Sequence, residues 1–140
     1  MSRPACVFCG IVAGAVPASL VMREAGVVAF LDARPLFKGH VLVVPTTHVD
    51  TLLELPAADL GPLFATVQRV AAAVTRALAA DGTFVAMNNG VSQSVPHLHV
   101  HVVPRRRGDG LRGFFWPRMK YADDGERETF AAKIAAALAP

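Results

Sequence analysis

Three histidines at alternating positions, His97, His99 and His101, stand in the stretch VPHLHVHVVPRRR, with Leu98, Val100 and Val102 between them. Alternate side chains of a β-strand point to opposite faces, and residues two apart sit roughly 6.5–7 Å apart along one face. A strand over 97–103 would therefore line three imidazoles along one face and pack three aliphatic side chains on the other. Pro96 suits the first position of such a strand. Imidazoles so placed can do two kinds of chemistry. They can chelate a metal, and a catalytic zinc would need three protein ligands and an open position for water. Alternatively, one neutral imidazole attacks phosphorus, turning a difficult displacement into two easier ones through a phosphohistidine. Its neighbours then stabilise the charge on the transferring phosphoryl oxygens.

The flanking residues bear on that choice. Asn88-Asn89-Gly90 and Gln93-Ser94 precede the triad and supply neutral donors of the kind phosphate or ribose recognition needs, although an Asn-Asn-Gly run also makes a turn. No Asp or Glu lies between Gly82 and Pro104, so the usual carboxylate partner of a hydrolytic zinc is locally absent. Arg105-Arg106-Arg107 reads either as a solvated basic turn or as a patch steering an anionic nucleotide toward a cleft. Cys6 and Cys9, in Cys6-Val7-Phe8-Cys9, admit three readings: a redox pair without its βαβ context, two buried thiols, or half of a structural zinc site completed by histidines.

The elements that must position these groups follow from the patterning. Residues 6–13 predict a short helix closed by Gly14, and 19–24 and 26–32 two strands around a turn at Glu24–Gly26. The near-continuous apolar run of 39–45 predicts a third strand, ended by Pro45 and buried on both faces. A helix should start between Pro56 and Pro62 and end near Ala80, stopped by Asp81-Gly82. Its apolar stripe is Leu63, Phe64, Val67, Val70, Ala71, Val74 and Leu78. Residues 83–88 predict a fourth strand and the histidine segment a fifth, with 104–120 irregular and 125–138 a terminal helix. Strands joined mostly by turns, with helices beside them, predict an α+β domain around a largely antiparallel sheet.

Length and composition fit one globular domain of 140 residues, 53% hydrophobic and 18% charged. A net charge of +3 suits an anionic small molecule and falls short of a dedicated nucleic-acid binder. Neither an apolar leader nor a membrane-length apolar run is evident, so the expectation is a cytoplasmic protein with no membrane partner.

His97-Leu98-His99-Val100-His101-Val102-Val103 matches the alternating signature of the histidine triad family, and the chain resembles that family along almost its whole length. The resemblance includes CVFCGIV, VVAFLDARPLFKGHVLVVP, NNGVSQSVPHLHVHVVP and the Trp116-Pro117 pair, in that order. It implies a single domain over 1–140 with a five-stranded sheet, and a homodimer joined across a two-fold. The implied activity is that of a nucleotide hydrolase acting at the α-phosphate of a purine nucleoside phosphoramidate, adenylyl conjugate or dinucleoside polyphosphate through a nucleotidyl-histidine. A nucleotidyltransferase to a non-water acceptor, and a non-catalytic nucleotide- or nucleic-acid-binding module using the arginines and Phe114-Phe115-Trp116, are the alternatives.

Carried over residue by residue, the resemblance makes His99 the nucleophile and sets His101 and His40 on the α-phosphate. Ser94 would hydrogen-bond the phosphate or leaving group, with Gln93 assisting. Asp32 would bind the ribose hydroxyls and Asn88 the sugar or phosphate, while Phe8, Ile11, Phe30 and Leu42 wall the base. Uridylyltransferase relatives bind zinc through a Cys-x-x-Cys pair, a histidine and the first triad histidine, which here implies structural zinc on Cys6, Cys9, His48 and His97. Two departures stand out. Only four residues separate Asn88 from Gln93, and Trp116 lies farther from the triad than in the phosphoramidase branch.

Overall fold

A computed structural model describes residues 5–111 and 118–138, so the Phe114-Phe115-Trp116 surface and Pro117 lie outside the described residues. The chain forms two compact units, Met1–Asp109 and Gly110–Pro140. In the first, the order is α1 (Val7–Val12), β1 (Leu20–Glu24), β2 (Val27–Leu31), β3 (Val41–Pro45), a 3-10 turn at Leu52–Glu54, α2 (Ala57–Ala77), β4 (Gly82–Ala86) and β5 (Val100–Arg105). These five strands form one antiparallel sheet in the order β1-β2-β3-β5-β4, the α+β architecture that the patterning predicts.

Burial on both faces explains the unbroken apolar runs of β2 and β3. Val27, Ala29, Val41 and Val43 join Leu98, Val100, Val102 and the α2 stripe in one core. Val28, Phe30, Leu42 and Val44 join Phe8 and Ile11 of α1 in the other. The sheet is thus the middle of three layers. The hairpin between β1 and β2 turns at Gly26, whose φ of +86° is the left-handed region that favours glycine.

Three local expectations need correcting. The fifth strand begins at Val100 rather than His97 and runs on through Pro104 to Arg105; its pairing to β3 ends at Val102, so the proline lies beyond that ladder. The α2 stripe is centred on Leu63, Thr66, Val67, Val70 and Val74, which leaves Phe64 38% exposed. The start of α2 at Ala57, just after Pro56, falls within the expected range, and Pro62, close to the first turn, removes little beyond the bond to the Ala58 carbonyl. Finally, α2 stops before Asp81-Gly82: the Ala80 N–H bonds the Thr75 carbonyl at 3.1 Å, and Ala79 takes φ +51° where a glycine is usual.

The arginine run is a braced turn. Arg105 grips both carboxylate oxygens of Asp109 at 2.7 and 3.1 Å, the Arg106 guanidinium donates to the Leu78 carbonyl, and the Arg107 N–H donates to Asp81 Oδ2 at 2.8 Å. In the second unit, α3 (Asp124–Leu138) starts where Asp123 Oδ1 accepts the Glu126 N–H at 2.8 Å, a side-chain cap on the first turn. Among the described residues no helix is long and apolar enough to cross a membrane.

Candidate active site and metal centre

A single cross-sheet row builds the floor of the main cleft. Phe30 on β2 pairs with Leu42 on β3, and Leu42 pairs with His101 on β5, so two apolar walls and an imidazole stand side by side on the α1 face. The cleft holds about 1050 Å³ and is lined by Phe8, Ile11, Phe30, Leu42, Asp32, Ser94, His99 and His101. All eight were singled out by the sequence. Phe8 sets its ring edge-on to His99, with centroids 5.1 Å apart at 82°, and likewise to Phe30 at 5.3 Å.

Hydrogen bonds fix which ring nitrogen of each imidazole is available. His99 Nδ1 lies 2.8 Å from the His97 carbonyl, which can only accept, so Nδ1 carries the proton and Nε2 keeps its lone pair. His40 Nδ1 accepts the Leu36 N–H at 3.1 Å, so its proton is on Nε2, which donates to His101 Nδ1 at 2.9 Å. His101 is left with its proton on Nε2. One imidazole lining the cleft thus offers a lone pair and its neighbour, 5.0 Å away by ring centroid, offers an N–H.

Burial favours the neutral form of His101 and His40. It lowers the pKa of His101 from 6.5 to about 4, helped by the neighbouring His99 and His40 and opposed by Asp32. Burial also lowers His40, where the Asp32 carboxylate pulls the other way. Asp32, His40 and His101 cluster closely enough to suggest metal ligands. The nitrogens facing one another are already spent on the 2.9 Å hydrogen bond, so the trio reads as a proton-ordering relay. His40 is 3% exposed and is not among the residues that line the cleft.

The second cluster has the opposite character. Cys6, Cys9, His48 and His97 bring four ligand atoms within 4.8 Å of one another. Cys9 Sγ lies 3.2 Å from His48 Nδ1 and 3.6 Å from His97 Nδ1, and Cys6 Sγ lies 3.5 Å from His97 Nδ1. A tetrahedral zinc, with bonds of about 2.3 Å to sulfur and about 2.0–2.1 Å to nitrogen, holds S and N roughly 3.5 Å apart. The outer partners also fit. His97 Nε2 donates to the Pro45 carbonyl at 2.9 Å and His48 Nε2 to Asp50 Oδ1 at 2.8 Å, leaving each Nδ1 as the ligand. Two thiolates with two imidazoles suit a closed structural zinc site.

The segment before the triad is used differently from the expectation. Gln93 spends both ends of its amide on backbone, donating to the Asp50 carbonyl at 2.6 Å and accepting the Gly90 N–H at 2.9 Å. Asn88 Nδ2 donates to the Ser92 carbonyl at 3.2 Å. Neither residue lines the cleft. Three groups escaped the sequence reading: the Leu36 N–H, the Pro45 carbonyl and Asp50. Only Asp50 had a readable signal, its two-residue spacing from His48.

A family model described as a HIT domain matches residues 13–108. An uncharacterised HIT-like protein of Mycobacterium tuberculosis is 43% identical over 108 residues, 76% of this chain and 75% of that one. An adenosine 5'-monophosphoramidase of Schizosaccharomyces pombe is 34% identical over 114 residues, 80% of this chain and 83% of that one. The solved structure of a zinc-bound histidine triad family protein from Mycobacterium smegmatis is 37% identical, with a TM-score of 0.73 over 95% of this chain and 97% of that one. With the triad signature, the five-stranded sheet and the matched span in agreement, the chain belongs to the histidine triad family.

Proposed function

We propose that this protein is a nucleotide hydrolase acting at the α-phosphate of a purine nucleoside phosphoramidate, adenylyl conjugate or dinucleoside polyphosphate, through a nucleotide bound covalently to His99. The observation that carries this reading is the His99 tautomer: Nδ1–H held by the His97 carbonyl at 2.8 Å, and Nε2 bearing the free lone pair. In the first step Nε2 attacks the α-phosphorus, the P–N bond forms, and the bond to the leaving group breaks as that group takes up a proton. His101 Nε2–H donates to a non-bridging phosphoryl oxygen and stabilises the charge that develops there. Ser94 stands at the leaving-group side. In the second step water attacks the same phosphorus and releases the nucleotide and free His99.

Phe8, Ile11, Phe30 and Leu42 make an apolar slot for a purine, and Asp32 offers a carboxylate to ribose hydroxyls. The named activity of the S. pombe relative supports a nucleoside phosphoramidate as one substrate class. Cys6, Cys9, His48 and His97 hold one structural zinc, which contributes folding energy and takes no part in the chemistry. The chain forms a homodimer, a reading supported by β1 and β4 lying at the sheet's edges. Its place is the cytoplasm.

The test is direct. Brief incubation with adenosine 5'-phosphoramidate, an alkaline quench and intact-mass measurement should show an adduct the size of AMP minus water on the wild type. His99→Gly should form none. An adduct that persists in His99→Gly moves the nucleophile elsewhere.

A further inference from the structure

The segment that carries Ser94 is tied to the segment that carries His48 by three hydrogen bonds. The Leu98 N–H donates to the Val49 carbonyl at 2.8 Å, the Leu52 N–H to Asn89 Oδ1 at 2.9 Å, and Gln93 Nε2 to the Asp50 carbonyl at 2.6 Å. Of these, the Gln93 bond comes from the residue adjoining Ser94. Asp50 in turn holds His48 through its carboxylate at 2.8 Å, and His48 Nδ1 points at Cys9 Sγ. At its other end the Gln93 amide accepts the Gly90 N–H, inside a loop where Gly90 and Ser92 both adopt left-handed φ, +89° and +61°. The orientation of the amide is fixed by its partners, since Gly90 presents a donor and Asp50 an acceptor.

We infer that Gln93 is a positioning residue, a strut that couples the Cys6–Cys9–His48–His97 metal centre to the Ser94 side of the cleft through Asp50. Both ends of its amide are held by backbone groups, and the residue does not line the cleft. When the metal fixes His48, His48 fixes Asp50, and Asp50 fixes the backbone that presents Ser94. The coupling runs both ways, because whatever a bound nucleotide gains from an ordered metal centre, the metal gains equally from the nucleotide. The inference rests on the cleft being a nucleotide site with zinc in the cluster, as proposed above.

The experiment measures transfer of zinc from the zinc-loaded protein to a chromogenic chelator, with and without saturating AMP, while calorimetry reports AMP binding separately. In the wild type AMP should slow zinc transfer roughly fivefold or more, the low end of ordinary coupling between sites. Gln93→Met keeps the length and volume of the side chain but neither hydrogen bond; it should release zinc faster than wild type and lose the protection by AMP. Gln93→Glu keeps an acceptor for Gly90 but sets a carboxylate against the Asp50 carbonyl, and it should lose the protection as well. Asn88→Ala loosens the same loop without touching Asp50 and should keep it. Protection retained in Gln93→Met and Gln93→Glu overturns the inference. So does AMP that binds the wild type without slowing zinc, or zinc transfer unchanged and AMP binding weakened in Gln93→Met, which would put Gln93 on the nucleotide. Absence of AMP binding sinks the nucleotide reading instead, and the strut then stands or falls on faster zinc release from Gln93→Met alone. A chain that takes up no zinc overturns both the metal assignment and the strut.

Discussion

The carbonyl of His97 accepts the Nδ1–H of His99 at 2.8 Å, while the ring of the same His97 turns away into the Cys6–Cys9–His48 cluster. One residue thus serves two sites: its side chain belongs to the candidate metal cluster, and its backbone sets the tautomer of the imidazole two positions on. His97→Ala is expected to lose zinc and, with it, most turnover, because the freed segment no longer presents His99 in one orientation. His99→Gly should retain zinc and lose turnover altogether. Zinc content and turnover measured on the two variants separate these outcomes; a His97→Ala protein that keeps its zinc removes His97 from the ligand set.

His101 and His40 should differ in degree. His101→Ala removes a donor from the transferring phosphoryl group and should cost roughly a hundredfold in kcat. On the proposed mechanism, His40 acts on the substrate through the 2.9 Å bond that orders the His101 proton. His40→Ala should therefore lower kcat by about tenfold, the worth of one such bond, with KM nearly unchanged. A raised KM with unchanged kcat would place His40 on the substrate directly.

Stability should fall in mild acid because of His101. Its pKa is about 4 in the fold against 6.5 for the free side chain, with burial the main cause, the neighbouring His99 and His40 adding to it and the Asp32 carboxylate opposing it. The unfolded chain accordingly takes up a proton at higher pH than the native one. The stability tied to neutral His101 is complete above pH 6.5 and is lost as pH falls toward 4. Urea midpoints between pH 4 and 7 should decline less steeply for His101→Asn than for wild type. Parallel curves would show that His101 contributes nothing.

The sequence made the sheet legible because burial on both faces leaves a mark on composition: nearly every residue of β2 and β3 is apolar. The cleft was legible for a different reason. The family resemblance assigned Phe30, Leu42 and His101 to it, and the register of β2, β3 and β5 sets the three in one cross-strand row. What stayed hidden were contacts made by backbone. Neither the Leu36 N–H nor the Pro45 carbonyl has a side-chain signature, yet they decide the tautomers of His40 and His97. Gln93 adds a further hidden contact, since its position beside the triad does not announce that its amide is held by the backbone of Gly90 and Asp50.

Two backbone positions give a paired test. Ala79 ends α2 at φ +51°, where an L side chain costs energy and glycine does not. Ala79→Gly should raise stability by about 1 kcal/mol. Gly39 has φ +99°, and an added Cβ would stand 2.3 Å from Leu78 Cδ1, beside the residue that orders His101. Gly39→Ala should lose about 1–2 kcal/mol or more. Thermal midpoints moving the other way in either variant would contradict the backbone account.

Removal of the metal is the last test, and it separates a structural zinc from a catalytic one. All four candidate ligand atoms come from the protein and lie within 4.8 Å of one another, three S···N spacings matching a tetrahedral ion, so a zinc bound by all four would keep no position for a substrate or water. Without a cation the two thiols and two imidazoles make only weak S···N contacts; as ligands of zinc they would contribute to folding directly. Elemental analysis should give about one zinc per chain. Cys9→Ser replaces a buried thiolate that faces both His48 and His97, and should abolish stoichiometric zinc with a loss of several kcal/mol in stability. A chelator should lower the thermal midpoint of wild type and leave that of Cys9→Ser unmoved. Turnover should fall only as unfolding sets in or as the 97–99 segment loosens. Instant loss of turnover at temperatures where the chelated protein is still fully folded, with the His99 adduct also absent, would mean that the metal acts in the chemistry itself.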